Sequence, residues 1–206
     1  AAFINTTEGL ISNNLIANNT ASQRGGALYC YSSPLLLSNT IVNNKALLQG
    51  GAVYLNSGSP KSHNNIYWGN RHANPEQPNQ FYIFSNEADP DFYYCNIEGG
   101  RTALALNPGS SYIGIYQNNI DVEPLFTETS SAAGHYYPVG DAYFALQDAS
   151  PCLDSGDPDT DASGYSSDLW GNPRIDNNRI DIGAFEKQHY LRSEERRVGK
   201  ECRSRW

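Results

Sequence analysis

The chain has 206 residues, of which 14 are basic and 22 are acidic, so its formal net charge is −8. It contains no apolar run of the roughly 18 residues that a membrane-spanning helix requires, and no membrane span is expected. The acidic balance argues against a nucleic-acid partner, because phosphates are bound by clustered Lys and Arg side chains. Aromatic residues make up 12% of the chain, which is too many for a disordered protein.

A 25-residue repeat occupies the first third of the chain. Two segments recur at this spacing: Asn14–Ala21 as Asn39–Ala46, and Gly25–Tyr29 as Gly50–Tyr54. At the same offset Phe3 aligns with Leu28, so the sequence is expected to open inside a repeat unit. One residue is inserted before Ser59, after which Asn64 is expected to return to the 25-residue offset from Asn39.

The repeats are predicted to form short β-strands. Apolar and β-branched runs alternate with Asn, Gly, Ser and Pro, which are turn residues. Apolar side chains stand at alternate positions, as in Leu28 and Cys30 or Val53 and Leu55, which is the period of a strand. The sequence therefore predicts an all-β fold, a parallel β-helix with about three strands per turn and turns stacked at roughly 4.8 Å.

Equivalent residues of successive turns are expected to stack in columns. The predicted columns are Ile16, Ile41 and Ile66; Phe3, Leu28 and Val53; and, at a corner, Asn14, Asn39 and Asn64. An Asn at a corner tolerates left-handed backbone, and its amide can bond the Asn of the next turn. The pairs Gly25-Gly26 and Gly50-Gly51 are expected to permit another corner with positive φ.

The remainder of the chain departs from the regular repeat. Residues 1–147 are predicted to form the β-helix turns, regular as far as 68 and irregular afterwards, with a long Pro-containing loop at about 69–91. Residues 148–188 are predicted to be a loop-rich, Asp-rich capping module that closes the open end, because unprotected strand edges invite aggregation. Residues 189–206 are a tail. Within it, 192–206 resemble the translation of a sequencing adapter and are set aside as artefactual.

Five motifs follow the repeats: Tyr94–Gly100, Glu123–Phe126, Ser150–Pro158, Gly171–Ile175 and Asp181–Glu186. Together with the repeats they resemble the right-handed parallel β-helix proteins of the pectin-lyase-like superfamily. The C-terminal part is similar to the terminal module of large bacterial surface β-helix proteins. The resemblance implies a right-handed solenoid from a secreted bacterial protein, with a signal peptide lost upstream. It implies no single activity, because that superfamily includes lyases, hydrolases, adhesins and structural shafts.

An acidic segment predicts a Ca²⁺ site. Asp157, Asp159 and Asp161 stand at relative positions 1, 3 and 5 of the segment. Ser163 follows at position 7 and Asp168 at position 12. This spacing is close to that of a Ca²⁺-binding loop, which offers a hard cation roughly six to eight oxygen ligands. The alternative is a solvated acidic turn capped by its own Asp side chains.

Signals for catalysis are sparse. The motifs of polygalacturonase-like hydrolases are absent from the sequence. A polysaccharide lyase of the resembled fold needs an Arg or Lys base near Ca²⁺-binding carboxylates. Arg24, in the turn before Gly25, is the candidate for that base. The alternative reading of Arg24 is an exposed turn residue.

Three Tyr residues are candidates for glycan contact. If the apolar residues beside them face inward, Tyr29, Tyr31 and Tyr54 face outward, and Tyr29 stacks on Tyr54. Exposed aromatic rows bind sugar rings through the apolar faces of both partners. The alternative is an ordinary cross-strand Tyr ladder.

The cysteines indicate little beyond the cellular compartment. Cys30 aligns with Leu55 and is expected to be a buried apolar side chain. Cys95 and Cys152 are expected either to stay free or to pair, since disulfides suit a secreted chain. The sequence leaves both alternatives open.

These observations favour a monomeric, non-catalytic extracellular or cell-surface β-helix protein with an adhesive or glycan-binding role, whose partner is a polysaccharide or surface glycan. Two alternatives remain open. One is a fragment of a pectate-lyase-like polysaccharide lyase or glycoside hydrolase, and the other is a structural shaft without a ligand. A groove with clustered acids and an Arg would favour the enzyme, whereas a smooth face of Tyr and Asn would favour the binder.

Overall fold

The computed structural model describes residues 2–5, 9–73, 80–129, 144–177 and 179–188. The predicted tail therefore lies outside the described residues. The described strands are β1 Ala2–Ile4, β2 Leu10–Ser12, β3 Leu15–Ala17, β4 Thr20–Ala21, β5 Leu28–Cys30, β6 Leu35–Leu37, β7 Thr40–Val42, β8 Lys45–Ala46, β9 Val53–Leu55, β10 Lys61–His63, β11 Ile66–Trp68, β12 Arg71–His72, β13 Phe81–Ile83, β14 Asp91–Tyr93, β15 Asn96–Ile97, β16 Leu104–Leu106 and β17 Tyr116–Gln117. One 3₁₀ turn spans Gly100–Ala103.

These strands pair in parallel with their equivalents in the next turn. They form sheet A (β1-β5-β9-β13-β16), sheet B (β2-β6-β10-β14-β17), sheet C (β3-β7-β11-β15) and sheet D (β4-β8-β12). Because the chain visits the sheets in the same order on every turn, the predicted parallel β-helix is confirmed. The regular turns carry four strands, one more than expected. Within the described ranges, no helix has the length and apolar character needed to cross a membrane.

Alternate residues of sheets A, B and C fill the interior. Leu28 pairs with Val53, and Val53 pairs with Phe81; all three are at most 1% exposed. Cys30 pairs with Leu55, and both are fully buried. The prediction that Cys30 serves as a small apolar core residue is therefore confirmed.

Two predicted columns are wrong by one residue. Ile41 pairs with Tyr67, not with Ile66. The residue inserted before Ser59 is therefore not offset by a later deletion, and the spacing between these two strands of sheet C is 26 residues. Successive side chains of a strand point to opposite faces, and a slip of one position moves Ile66 to the outer face of the sheet. In sheet A, Phe3 pairs with Tyr29 rather than Leu28, so it does not belong to the Leu28 and Val53 column.

Asn side chains run along one corner as a hydrogen-bonded ladder. Asn14 Nδ2 donates to Asn39 Oδ1 at 3.1 Å, and Asn39 Nδ2 donates to Asn65 Oδ1 at 2.9 Å. The ladder was predicted, but its third member is Asn65 and not Asn64. Left-handed backbone lies at Asn64 as predicted, but in the two earlier turns it lies one residue before the predicted Asn, at Asn13 and Ser38. Each corner therefore has two residues with different roles: the first, Asn13, Ser38 or Asn64, adopts the left-handed turn, and the Asn that follows it forms the ladder.

A second corner depends on glycine pairs. Gly25 and Gly50 have φ values of 65° and 68°, as the sequence predicted for the first Gly of each pair. Gly26 has another reason to be Gly, since a Cβ there would lie 2.1 Å from the carbonyl oxygen of Gly51 in the next turn. The second Gly of the pair therefore permits close approach of neighbouring backbones.

The segment predicted as a long loop at 69–91 contains two complete strands of the solenoid. Arg71–His72 is a strand of sheet D, and Phe81–Ile83 is an inner strand of sheet A with neighbours on both sides. Phe81 and Ile83 are buried at alternate positions, which matches the strand period of Val53–Leu55. Residues 74–79, with Pro75 and Pro78, lie outside the described residues.

Residues 148–188 lie along the outer face of sheet C. Gly183 N donates to Asn64 O at 2.8 Å, Ala184 N to Thr40 Oγ1 at 2.9 Å, and Asn13 Nδ2 to Ser167 O at 2.8 Å. These contacts span three successive turns. The segment therefore covers the side of the solenoid, whereas the sequence predicted a closure of its end.

A second apolar cluster lies beneath this side cover. It joins outward residues of sheet C to the C-terminal part of the chain, namely Val42, Ile66, Phe126, Phe144, Leu146, Cys152, Ile182, Ala184 and Phe185. Strand β7 is consequently buried on both faces, and β11 nearly so, which accounts for the apolar residues Val42 and Ile66 at their outward positions. Cys152 belongs to this outer cluster and Cys95 to the inner core. Cys30, Cys95 and Cys152 are buried free thiols.

Candidate functional sites

An aromatic strip crosses the outer face of sheet A; we define it as Tyr29, Tyr31, Tyr54, Tyr82 and Phe84. Outward positions of consecutive strands supply its central column. The ring centroids of Tyr29 and Tyr54 are 4.9 Å apart, and those of Tyr54 and Tyr82 are 5.5 Å apart with the rings parallel to within 2°. The central column of Tyr29, Tyr54 and Tyr82 therefore runs along the axis of the solenoid, with one ring per turn.

The members of the strip differ in accessibility. Tyr31 is 41% exposed and Phe84 is 43% exposed, whereas Tyr54 is only 1% exposed. Tyr29 is half-buried. Burial and, to a smaller extent, a hydrogen bond with Tyr31 raise the pKa of Tyr29 to about 12. Tyr54 points outward as predicted but lies beneath its neighbours, so its ring does not offer an open face.

Sequence reasoning missed Tyr82 and Phe84. Both lie within the segment that was predicted to be a loop. The signal was present in the alternation of Phe81, Tyr82 and Ile83, which repeats the pattern of Val53–Leu55. This pattern was overlooked because the Pro-containing residues before it do not resemble the earlier repeats.

Arg24 covers the strip from one side. Its guanidinium carbon is 5.2 Å from the ring centroid of Tyr54, a cation–π arrangement. Its Nε donates to Gln49 Oε1 at 3.2 Å, and the backbones of Arg24 and Gln49 form a parallel bridge. These contacts place Arg24 as a lateral cover for Tyr54. Its predicted role as a catalytic base stays a prediction.

The predicted Ca²⁺ loop folds into consecutive Asx turns. Asp157 Oδ1 accepts the backbone N–H of Asp159 at 3.0 Å, and Asp161 Oδ1 accepts that of Ser163 at 2.9 Å. The Ser163 N–H lowers the pKa of Asp161. Three of its carboxylates, those of Asp157, Asp159 and Asp161, line a groove of about 240 Å³ against sheet B.

His63 forms the opposite wall of this groove. Its Nδ1 is 3.8 Å from Asp157 Oδ2, and its ring stacks on Tyr93 with centroids 4.5 Å apart. Burial lowers the pKa of His63, while the Asp157 carboxylate opposes that shift. The groove therefore combines an acidic side with an aromatic side.

Asp168 has a different role from the other predicted ligands. Its Oδ1 accepts the N–H groups of Trp170 and Asn172, and its Oδ2 accepts the Asn172 amide and the N–H of Glu186. These bonds tie the 168–172 turn to the C-terminal segment. Among the residues that the structure describes, no group of three or more His, Cys, Asp or Glu side chains is arranged to hold a metal ion. The Ca²⁺ site stays a prediction.

A buried ionic cluster lies within the side cover. Arg174 is fully buried; its Nη2 donates to Gly183 O at 2.8 Å and to Asp181 O at 3.2 Å, and its Nη1 is 3.8 Å from Glu186 Oε2. Burial raises the pKa of Glu186 to about 8 and that of Asp181 to about 6. The cluster fixes the Asp181–Glu186 motif against sheet C, and we assign it a structural role.

One stretch of the chain matches a known family. Residues 15–31 match the Chlamydia polymorphic membrane protein (Chlamydia_PMP) repeat. The matched residues run from β3 through β5, so they span the corner of Gly25 and Gly26. Comparisons with curated proteins and with solved structures found no match. The repeat match and the stacked parallel sheets identify the chain as a β-helix repeat protein.

Proposed function

We propose that this chain is part of a non-catalytic cell-surface β-helix protein that contacts glycans through the aromatic strip. The observation that carries the proposal is the exposure of Tyr31 and Phe84 on a strip whose central rings are packed together. Its rings recur at 4.9 and 5.5 Å along the solenoid axis. A linear polysaccharide laid along this axis would contact the exposed rings of Tyr31 and Phe84, which pack on the more buried Tyr29 and Tyr54.

The borders of the strip suit sugar hydroxyls. Tyr29 Oη donates to Asn56 Oδ1 at 3.3 Å, and Tyr82 Oη donates to Asn107 Oδ1 at 3.4 Å. Asn56 and Asn107 follow strands β9 and β16 and stand beside the rings. Aromatic faces flanked by amides offer apolar contact and hydrogen bonds together, which is what a pyranose ring requires.

The surface location rests on the repeat match. The matched family is named for a membrane protein, and a repeat of this kind builds an elongated solenoid with a long lateral face. The net charge of −8 also suits a chain that does not bind nucleic acid. An extracellular solenoid with a glycan-contacting face is consistent with these features.

Pull-down on a panel of insoluble neutral and acidic polysaccharides tests the proposal. The wild-type chain should bind at least one polysaccharide, and the double variant Tyr31→Ser/Phe84→Ser should bind it at least about tenfold more weakly. Leu10→Ser is the matched control, because Leu10 is 56% exposed on sheet B. Equal binding by the double variant, or no binding by the wild type, would refute the proposal.

We further propose that the acidic groove binds Ca²⁺ through Asp157, Asp159 and Asp161. Support comes from the three carboxylates that line one groove and from the hardness of their oxygen ligands. Excess Ca²⁺ should raise the melting temperature of the chain relative to EDTA, and Asp159→Asn should abolish the difference. Identical melting of the wild type under both conditions would contradict this.

A further inference from the structure

A cavity of about 530 Å³ lies at the side cover and shares no lining residue with the acidic groove. Its walls come from three parts of the chain: the bridge between Phe126 and Leu146, the 168–172 turn, and the C-terminal segment from Phe185 to Gln188. A volume of this size falls in the range of small-ligand sites, roughly 300–1,000 Å³. The aromatic strip and the acidic loop contribute no residue to it.

Trp170 provides one wall of the cavity. Its indole is 4.7 Å from the ring of Phe185, centroid to centroid, and the residue is 48% exposed. Phe185 is only 4% exposed, so it supports the indole from beneath. A large aromatic residue that is half exposed at the mouth of a cavity is a flat apolar platform open to a ligand.

The Trp170 platform is preorganised by hydrogen bonds within the chain. Asp168 is 6% exposed, and its carboxylate accepts the N–H of Trp170 at 2.9 Å and that of Asn172 at 2.8 Å. Its second oxygen accepts the N–H of Glu186 at 2.9 Å. One buried carboxylate therefore fixes both the turn that carries the indole and the C-terminal segment that carries Phe185. A preorganised site binds without the entropic cost of ordering loops.

Polar groups border the apolar platform. The amides of Asn172 and Gln188 line the cavity, and Gln188 Nε2 is anchored on Pro173 O at 3.2 Å. Lys187 adds an ammonium group, which lies 2.6 Å from Asp148 Oδ1. An indole face surrounded by amides and one cation fits a ring that has an apolar face and several hydroxyls.

We propose that this cavity is a binding site for a single sugar residue, with a pyranose ring stacked on Trp170 and its hydroxyls bonded to Asn172 and Gln188. The site is separate from the aromatic strip, where a polysaccharide would lie lengthwise. It would hold a monosaccharide unit or the end of a glycan chain.

Saturation-transfer NMR on the full chain tests this site, with the methyl glycosides of glucose, galactose and N-acetylglucosamine as probes. At least one probe should give a saturable signal with the wild type. Trp170→Ala should weaken binding about fivefold or more, and Gln188→Ala should weaken it without removing the platform. Trp170→Phe should retain most of the binding. Melting curves establish that each variant is folded.

The strip variant Tyr31→Ser/Phe84→Ser separates this proposal from the polysaccharide-binding function. It should bind the glycosides as the wild type does. A signal that is lost in the strip variant but kept in Trp170→Ala would place the ligand on the strip and overturn the cavity site. A wild type that responds to none of the three probes would also overturn it.

Discussion

Replacing Asn44 with Ala should weaken the β-helix more than replacing an exposed Asn of the other corner ladder does. Asn44 is 1% exposed and belongs to the second Asn corner, between sheets C and D. Its Oδ1 accepts the backbone N–H and the amide of Asn19 at 3.0 and 2.9 Å. Its Nδ2 donates to Ile16 O at 2.7 Å and to Asn70 Oδ1 at 2.9 Å.

The expected size of the effect follows from the groups left behind. An Ala at this position removes the partner of the Asn19 N–H and that of the Ile16 carbonyl. A buried polar group without a partner costs about 1–3 kcal/mol, so the two together should cost about 2–6 kcal/mol. For a chain of this size, 1 kcal/mol corresponds to a melting-temperature shift of about 2–4 °C. A fall of about 10 °C is therefore expected.

Asn14→Ala is the matched control. Asn14 makes the equivalent ladder bond to Asn39 but is exposed, so water can replace its partners and the loss should stay near 1 kcal/mol. Circular dichroism melts of both variants in one buffer give the comparison. If Asn44→Ala lowers the melting temperature no more than Asn14→Ala does, buried ladder bonds do not stabilise this solenoid as argued.

Three further predictions concern the cover, the thiols and the backbone. Burial raises the pKa of Glu186 from 4.5 to about 8, so the folded chain binds more protons between those values and its stability falls as the pH rises through them. The melting temperature should drop from pH 5 to pH 8, and by less in Glu186→Gln; an equal slope in the two proteins would contradict the assignment. Burial also raises the pKa of the Cys95 thiol to about 12, so in a Cys202→Ser background native protein should resist iodoacetamide at pH 8 and react once unfolded in urea. Rapid native labelling would disprove this. Gly26→Ala should destabilise the fold by about 2–3 kcal/mol or more, because its Cβ would meet a backbone oxygen at 2.1 Å. Gly164→Ala, where nothing lies within 4 Å, is the control and should melt like the wild type.

The repeat made most of the architecture predictable. A 25-residue period of short apolar runs and Asn or Gly corners is compatible with few structures other than a stack of parallel strands, because each turn must cover its neighbour. The Asn ladder, the positive φ at Gly25 and Gly50, and the burial of Cys30 all followed from that stacking.

Register was harder to predict. The residue inserted before Ser59 could be compensated early or carried forward, and the sequence around Asn64 and Asn65 fits both choices. Packing decided it: Tyr67 fills the interior against Phe81 at 4.7 Å, while Ile66 joins the outer cluster beneath Gly183. Phe81 could not be identified as a core residue, because its strand was predicted to be part of a loop.

The sequence by itself therefore determined that the chain is a parallel β-helix and that Asn and Gly stand at its corners, because both follow from periodicity and backbone geometry. Only the tertiary structure decided that residues 148–188 lie along sheet C. Their anchors, such as Gly183 on Asn64, join positions more than a hundred residues apart, and no local pattern records such a contact. The same is true of the cavity at Trp170, whose walls come from three distant segments. Sites built by long-range contact depend on which faces remain uncovered after folding, and that is a property of packing.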